Sequence, residues 1–132
     1  MFRLALLALL LLAAPAGAQQ SVFVPATTTQ IAIAGTVAVR TSIITGVAGK
    51  SIYVTALYLA PVATSVVTLS TGTGTDCGTD TATITGAMTF AAGQTLSMGT
   101  GNGAVLVVPP ATDLCITIAT AAAPGFIAYS IF

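Results

Sequence analysis

Charged residues are almost absent from this sequence. Its 132 residues include three basic and three acidic side chains, and it contains no His, Glu or Trp. Nucleic-acid binding requires a basic stripe that neutralises phosphates, which so few cations cannot form. General acid–base catalysis requires a titratable group with a partner in a pocket, and the sequence offers no nucleophile–base pair. We therefore expect no nucleic-acid binding, no enzymatic activity, no cofactor and no metal.

The first 18 residues have the pattern of a signal peptide. Arg3 supplies the positive charge, residues 4–14 form the apolar segment, and residues 16–18 are the small residues that signal peptidase accepts. The apolar segment is short for a membrane span, and no basic flank follows it. We expect cleavage after Ala18 and a secreted, periplasmic or cell-surface protein that has no membrane attachment after cleavage.

Removal of residues 1–18 leaves 114 residues, which is the size of one domain. We divide them into an N-terminal arm, residues 19–30, and a β-sandwich domain, residues 31–132. The formal charge of this part is −1, from Arg40, Lys50, Asp76, Asp80 and Asp113. Because so little charge hardly opposes the association of copies, it favours a homo-oligomer.

The remaining composition is typical of β-sheets. Of all residues 55% are hydrophobic, and Thr, Ser and Gly dominate the polar remainder. Alternating segments separated by Gly and Pro predict an all-β fold, a single β-sandwich or jelly-roll-like domain of about eight short antiparallel strands. The predicted strands are residues 21–24, 31–34, 37–44, 51–59, 65–70, 81–90, 104–108 and 114–120, with 125–132 closing the chain and 95–98 as a further short edge. Two of the predicted turns are residues 71–74 and 99–103.

Strict alternation along residues 51–59 places apolar side chains on both faces. One face carries Ile52, Val54, Ala56 and Tyr58, and the opposite face carries Tyr53, Thr55, Leu57 and Leu59. This pattern favours a strand buried between a sheet partner and a neighbouring subunit. The chain also ends on two apolar residues, Ile131 and Phe132, so we expect its last strand to pair inside a sheet or to pack at an interface.

The sequence contains two cysteines, Cys77 and Cys115. In a chain addressed to an oxidising compartment, we expect a disulfide between them. The alternatives are a nucleophilic thiol and a metal pair. A thiol nucleophile normally needs a neighbouring His, and a zinc site needs four ligands, so both alternatives are weaker.

A polar cluster surrounds the first cysteine. Asp76 and Asp80 invite a calcium-loop interpretation, but an EF-hand loop needs more oxygen ligands and a bidentate acid at its end. The competing interpretation is an Asx-type turn that presents Cys77 for its disulfide. Asp113 is positioned to cap a turn after residues 109–110. A secreted hydrolase built on these three Asp residues is the weakest functional hypothesis.

Two further segments suggest binding. The glycines of residues 99–103 have the composition of a phosphate-binding loop, yet no Lys accompanies them and a hairpin turn explains them better. Tyr53, Tyr58 and Phe90 could form a platform on which sugar rings stack. The competing interpretation is that these aromatic side chains pack in the core.

Several segments from residue 44 onward resemble a known family. They are residues 45–54 with an Ala-Gly-Lys turn, 72–78, 84–88, 99–103 and 107–109. They resemble small β-sandwich proteins encoded in tailed-phage genomes, including capsid decoration and head-fibre-like proteins. The resemblance covers residues 44–132 and implies a jelly-roll-like domain, frequently trimeric, that decorates a larger particle and has no catalytic residues. The signal peptide is not part of that pattern, because capsids are decorated in the cytoplasm.

We therefore expect a non-enzymatic, exported structural or adhesive surface protein, phage-related and homo-oligomeric, with a trimer favoured by the resemblance. The cell surface accommodates both the export signal and the resemblance, and the virion is the alternative location. The alternative function is a secreted glycan-binding module that uses Tyr53, Tyr58 or the loop at residues 99–103.

Overall fold

The computed structural model describes residues 28–34, 39–99 and 103–132, and strands dominate these residues. Val, Ile and Thr, whose branched side chains favour extended backbone, recur in most of the strands. In chain order the strands are β1 (Thr29–Ile33), β2 (Arg40–Ile44), β3 (Ile52–Leu59), β4 (Ser65–Thr73), β5 (Thr79–Thr83), β6 (Met88–Phe90), β7 (Leu96–Met98), β8 (Leu106–Val108), β9 (Asp113–Ala119) and β10 (Gly125–Ile131). A single 3-10 turn, Thr75–Cys77, precedes β5.

The strands form two antiparallel sheets of the same plan. Sheet A has the order β1, β10, β3, and the free edge of β3 pairs with two short strands in succession, β7 and β8. Sheet B has the order β2, β9, β4, and the free edge of β4 pairs with β5 and β6. The predicted all-β sandwich is confirmed, with ten described strands where about eight were expected. In the described part of the chain, no helix has the length and apolar character needed to cross a membrane.

The inner faces of the two sheets enclose one apolar core. The central strands supply most of its nearly inaccessible members: Ile52, Val54, Leu57, Leu59 and Ile127 from sheet A, and Val67, Leu69, Leu114, Ile116 and Ile118 from sheet B. Along β4, β9 and β10 these core residues alternate with residues that form the outer faces of the sandwich.

The predicted strand 81–90 is interrupted. Its two ends form β5 and β6, which pair with the two ends of β4, and residues 84–87 bulge out between them. There the backbone N–H groups of Ile84 and Thr85 donate to the Leu69 carbonyl at 2.9 and 3.2 Å, and Thr85 Oγ1 accepts from Leu69 N at 2.9 Å. A threonine side chain thus replaces part of the backbone pairing, which alternation alone does not reveal.

The turn predicted at 71–74 begins later than expected, because β4 continues through Thr73. Gly72 lies inside the strand, where a Cβ would stand 2.6 Å from Cys77 Cβ and 2.9 Å from the Thr79 carbonyl oxygen. The glycine therefore permits the close approach of the cysteine loop, and the chain reverses at Gly74, whose φ is 72°.

A β-bulge in β3 breaks the predicted alternation. The register with β10 shifts by one residue between Ala128 and Tyr129, which pair with Ala56 and Val54 respectively. Thr55 is the extra residue. It is fully buried, and its Oγ1 donates to the Ala128 carbonyl at 3.2 Å.

After the bulge, the positions of β3 whose side chains point into the core are shifted by one residue. Leu57 and Leu59 point inward with Ile52 and Val54, while Tyr53, Ala56 and Tyr58 stay half-buried on the outer face. From Ala56 onward the predicted division of side chains between the two faces is therefore wrong, although both faces carry apolar residues as predicted. Leu57 and Leu59 fill the core of one chain and need no neighbouring subunit.

The chain termini agree in part with expectation. The last strand is paired inside a sheet, as β10 lies between β1 and β3, and the backbone of Phe132 exchanges two hydrogen bonds with Ser51. β1 begins at Thr29, so the last two residues of the predicted arm belong to the sandwich. The predicted signal peptide, the rest of the arm up to residue 27 and the predicted strand 21–24 lie outside the described residues.

Candidate functional site

The predicted disulfide is confirmed. Cys77, at the end of the 3-10 turn, bonds to Cys115 in β9 with a Cα–Cα distance of 6.3 Å, and both residues are inaccessible to solvent. The bond fixes a loop onto the outer face of sheet B. A disulfide of this kind indicates an oxidising, extracellular environment.

The Asp residues near the disulfide accept hydrogen bonds that hold this loop and its neighbours. Asp76 Oδ1 accepts from the backbone N–H of Ser42 at 3.0 Å, which ties the loop to β2. Asp80 Oδ2 accepts from Thr73 Oγ1 at 3.5 Å. Asp76 and Cys77 have left-handed φ angles of 51° and 55°, the geometry of a tight turn.

Asp113 joins the same cluster from β9. Its Oδ1 accepts from Gly46 N at 2.8 Å and its Oδ2 from Ser42 Oγ at 3.3 Å. We expected Asp113 to cap the turn after residues 109–110. Its carboxylate instead bonds to residues in and just after β2. The structure thus brings Asp76 and Asp113 together around Ser42, with each carboxylate bonded to a backbone N–H.

Arg40 completes the cluster. It projects from β2, and its Nη1 donates to the Cys77 carbonyl and to Thr81 Oγ1, each at 3.0 Å. The side chains available for chemistry on this face therefore brace a loop over a disulfide. In the described ranges, no group of three or more metal-binding side chains comes together.

The outer face of sheet A has a different chemistry. Its five strands contain no charged residue. Two aromatic pairs stand on it: Tyr53 stacks on Phe132 with ring centroids 4.3 Å apart and planes 4° apart, and Tyr58 stacks on Phe126 at 5.7 Å and 22°. These rings are half-buried, or in the case of Phe132 43% exposed.

Small and aliphatic residues complete this surface. Ala56 and Ala128 pair with each other between the two aromatic pairs, and Val107 of β8 pairs with Tyr53 at one end. Val107 is 52% exposed and its neighbour Val105 is 40% exposed. We call this surface, made of Tyr53, Ala56, Tyr58, Val107, Phe126, Ala128 and Phe132, the aromatic face.

The chain was compared with protein-family models, with curated proteins and with solved structures, and none of the three comparisons finds a match. The function must therefore be argued from the two outer faces themselves.

The predicted aromatic platform is only partly assembled. Tyr53 and Tyr58 share one face, which strict alternation would have prevented and which the bulge at Thr55 makes possible. Phe90 belongs to β6 of sheet B and packs against the core, so it is not part of the platform. Of the glycine-rich loop at 99–103, residues 100–102 lie outside the described part of the chain.

Sequence reasoning missed Phe126 and Val107 as surface residues and Arg40 as a brace. The alternation Phe126, Ala128, Ser130, Phe132 in the last strand was a usable signal for the aromatic face, since Ile127, Tyr129 and Ile131 pack toward the core. No signal pointed to Arg40, because its partners lie 37 and 41 residues away.

Proposed function

We propose that this chain is a non-enzymatic, exported structural or adhesive surface protein that acts through its surface. The observation that carries the proposal is the uncharged aromatic face of sheet A. The largest contiguous apolar patch on a soluble protein is often a site of interaction. The disulfide supports a location outside the cytoplasm, because such bonds persist in oxidising compartments.

The resemblance to phage decoration proteins adds a biological setting to this proposal. A decoration-like β-sandwich acts by attachment to a larger particle and by association of its own copies, a trimer in the favoured case. Chemistry at the disulfide cluster is not needed for such a role, and Asp76 and Asp113 are engaged there in bonds to backbone N–H groups. The cell surface is the proposed location, and the virion is the alternative.

Location and processing test this proposal directly. The full chain, expressed in a bacterial host with a C-terminal epitope, is fractionated and its intact mass is measured. We expect a chain that begins at Gln19, carries an oxidised disulfide and is found in the periplasm, the medium or the cell envelope. Recovery of the full 132-residue chain with free thiols from the cytoplasm contradicts the proposal. Immunogold labelling of cells and of phage particles then separates the cell surface from the virion.

A second candidate is a glycan-binding module. Tyr53 and Tyr58 favour it, because both are half-buried on one uncharged face and a sugar ring can stack on an exposed aromatic ring. A glycan array tests it, with Tyr58→Ala as the variant that must lose binding and Phe90→Leu as the control on the other sheet. Uniformly negative results at high protein concentration exclude this candidate.

A further inference from the structure

We infer that the aromatic face of sheet A is the surface through which copies of this chain associate. The inference rests on the proposed function and deepens it, since it assigns a surface and an occupant to an otherwise general role. The occupant is a second copy of the same chain.

The absence of charge on the aromatic face favours a second copy as its partner. The strands of sheet A are uncharged, and the only charged residue near the aromatic face in sequence is Lys50, which lies in the turn before β3 at the rim. A surface of this kind selects a partner that is itself uncharged and apolar. The aromatic face of another copy meets that requirement, and a net charge of −1 on residues 19–132 hardly opposes the approach of two copies.

The relief of the aromatic face also suits a second copy. Along β3 and β10 the face runs from one aromatic pair, through Ala56 and Ala128, to the other aromatic pair. Alternation of large and small side chains is the relief with which packed sheet faces interdigitate. The raised rings of one copy can therefore enter the low centre of another.

The aromatic face is three strands wide, across β10, β3 and β8. Strands about 4.8 Å apart and about seven residues long give it a projected area of roughly 350 Å². This is in the range of functional apolar patches, and a standard interface buries about 800 Å² per partner once side-chain relief and rim are included. The face is large enough to form the centre of one subunit contact.

The ring geometry favours this occupant over a sugar. The two stacked pairs cover one side of each ring, with centroids 4.3 Å and 5.7 Å apart. Only the opposite side of a ring stays free for a sugar. The exposed neighbours Val105 and Val107 add aliphatic surface, which a second apolar protein face buries well and a hydroxyl-rich ligand does not.

The test is the size in solution of the exported protein and of two matched variants. Val107→Lys places a charge on the aromatic face at a side chain that is already 52% exposed, so the fold should tolerate it. Val39→Lys makes the same change at a residue that is 63% exposed and immediately precedes β2 of sheet B. Far-UV circular dichroism and the intact disulfide confirm that each variant is folded. Phe132→Ala removes a ring from the same face without adding charge.

We expect light scattering at micromolar concentration to show an oligomer for the unmodified protein and for Val39→Lys. Val107→Lys should raise the dissociation constant about tenfold or more, because it buries an unpaired charge, and Phe132→Ala should raise it less. If the oligomer withstands both Val107→Lys and Phe132→Ala, the assignment of the aromatic face is wrong. The assignment is also wrong if Val39→Lys weakens the oligomer as much as Val107→Lys does. Both results leave the proposed function intact. A monomer at all concentrations overturns self-association, whereas the proposed function is decided separately by location and processing.

Discussion

The two outer faces of this sandwich have opposite chemistry although they are built on the same strand plan. Sheet A presents stacked aromatic rings, alanines and valines without a charged side chain. Sheet B presents Thr, Ser and Arg40, and a disulfide-linked loop covers part of it. The charged side chains of sheet B form hydrogen bonds within the chain, whereas sheet A keeps apolar surface accessible. A chain this poor in charge thus places its charged hydrogen-bonding groups on one face and leaves the other face apolar.

The loop on sheet B explains this division. Gly72, Cys77 and Cys115 bring the loop backbone against β4 and β9, and Asp76 and Arg40 fasten it to β2 and β5. Four of the five charged residues in the described part of the chain form hydrogen bonds in or beside this loop: Arg40, Asp76, Asp80 and Asp113. No comparable loop covers the aromatic face among the described residues, and this is the face to which we assign association between copies.

The largest expected effect concerns the disulfide. Replacement of both Cys77 and Cys115 by Ala should lower the free energy of unfolding by about 3–4 kcal/mol, because the bond constrains a 38-residue loop in the unfolded chain. Urea denaturation measures the loss, and reduction of the unmodified protein serves as the control. If the face of sheet B is only a brace, the folded variant keeps its size in solution. A loss below about 1 kcal/mol contradicts the structural role of the bond.

Asp113→Ala should cost about 2 kcal/mol, since Gly46 N and Ser42 Oγ lose a charged acceptor. The control is Asp80→Asn, which removes the charge and keeps a residue type that tolerates the left-handed φ of 50° at this position. Its carboxylate meets Thr73 Oγ1 at 3.5 Å in an exposed setting, so its loss should stay below about 0.5 kcal/mol. Thermal unfolding of both variants distinguishes a bracing carboxylate from an exposed one. Equal losses of stability in the two variants would contradict the bracing role of Asp113.

On sheet A, the stacked pair Tyr58 and Phe126 should show a coupling of about 0.5–1.5 kcal/mol in a double-mutant cycle with Leu at each position. The cycle is measured by denaturation at low protein concentration, where association does not contribute. Tyr58 and Phe90, which lie on different sheets, form the control cycle and should be additive within about 0.3–0.5 kcal/mol. Additivity in the first cycle would show that the rings do not stack in solution.

The smallest effect is expected beneath the loop of sheet B. Ser70 is buried beside Cys115, and its Oγ has no hydrogen-bond partner among the described residues. Ser70→Ala should therefore raise the free energy of unfolding by up to about 1 kcal/mol. Ser65→Ala on the same strand is the control. It should lower stability by about 1 kcal/mol, because the single hydroxyl proton of Ser65 is shared between the carbonyls of Ala119 and Ala121. A clear loss for Ser70→Ala indicates a bound water or other partner at this position.

The sequence was sufficient for the architecture and the disulfide, and it failed where side chains intervene in backbone pairing. Alternation and turn residues predicted the sandwich because each strand must bury one face. The bulge at Thr55 and the interruption at Thr85 escaped prediction, because each depends on a threonine hydroxyl that bonds to a distant backbone group. The one-residue bulge turns Leu57 and Leu59 into the core and Tyr58 to the outer face. The reason for expecting association is therefore the aromatic outer face and no longer the two leucines.

The same limit applies to the candidate site. Tyr53 and Tyr58 could be named as candidates from their residue type, yet their common face follows only from the bulge. The stacking partners Phe126 and Phe132 come from a strand that begins more than 60 residues later, and their approach depends on the register between β3 and β10. Long-range register is not encoded in any local pattern.

Hydroxyl-radical footprinting at increasing protein concentration tests the central claim most directly, since aromatic side chains are oxidised in proportion to their exposure. Tyr53, Tyr58, Phe126 and Phe132 on sheet A are compared with Phe90 on sheet B, which is also half-buried. We predict that oxidation of the four rings of the aromatic face falls several-fold as copies associate, whereas oxidation of Phe90 stays constant. Constant oxidation of all five rings, or protection of Phe90 alone, would contradict the claim that sheet A carries the interaction surface.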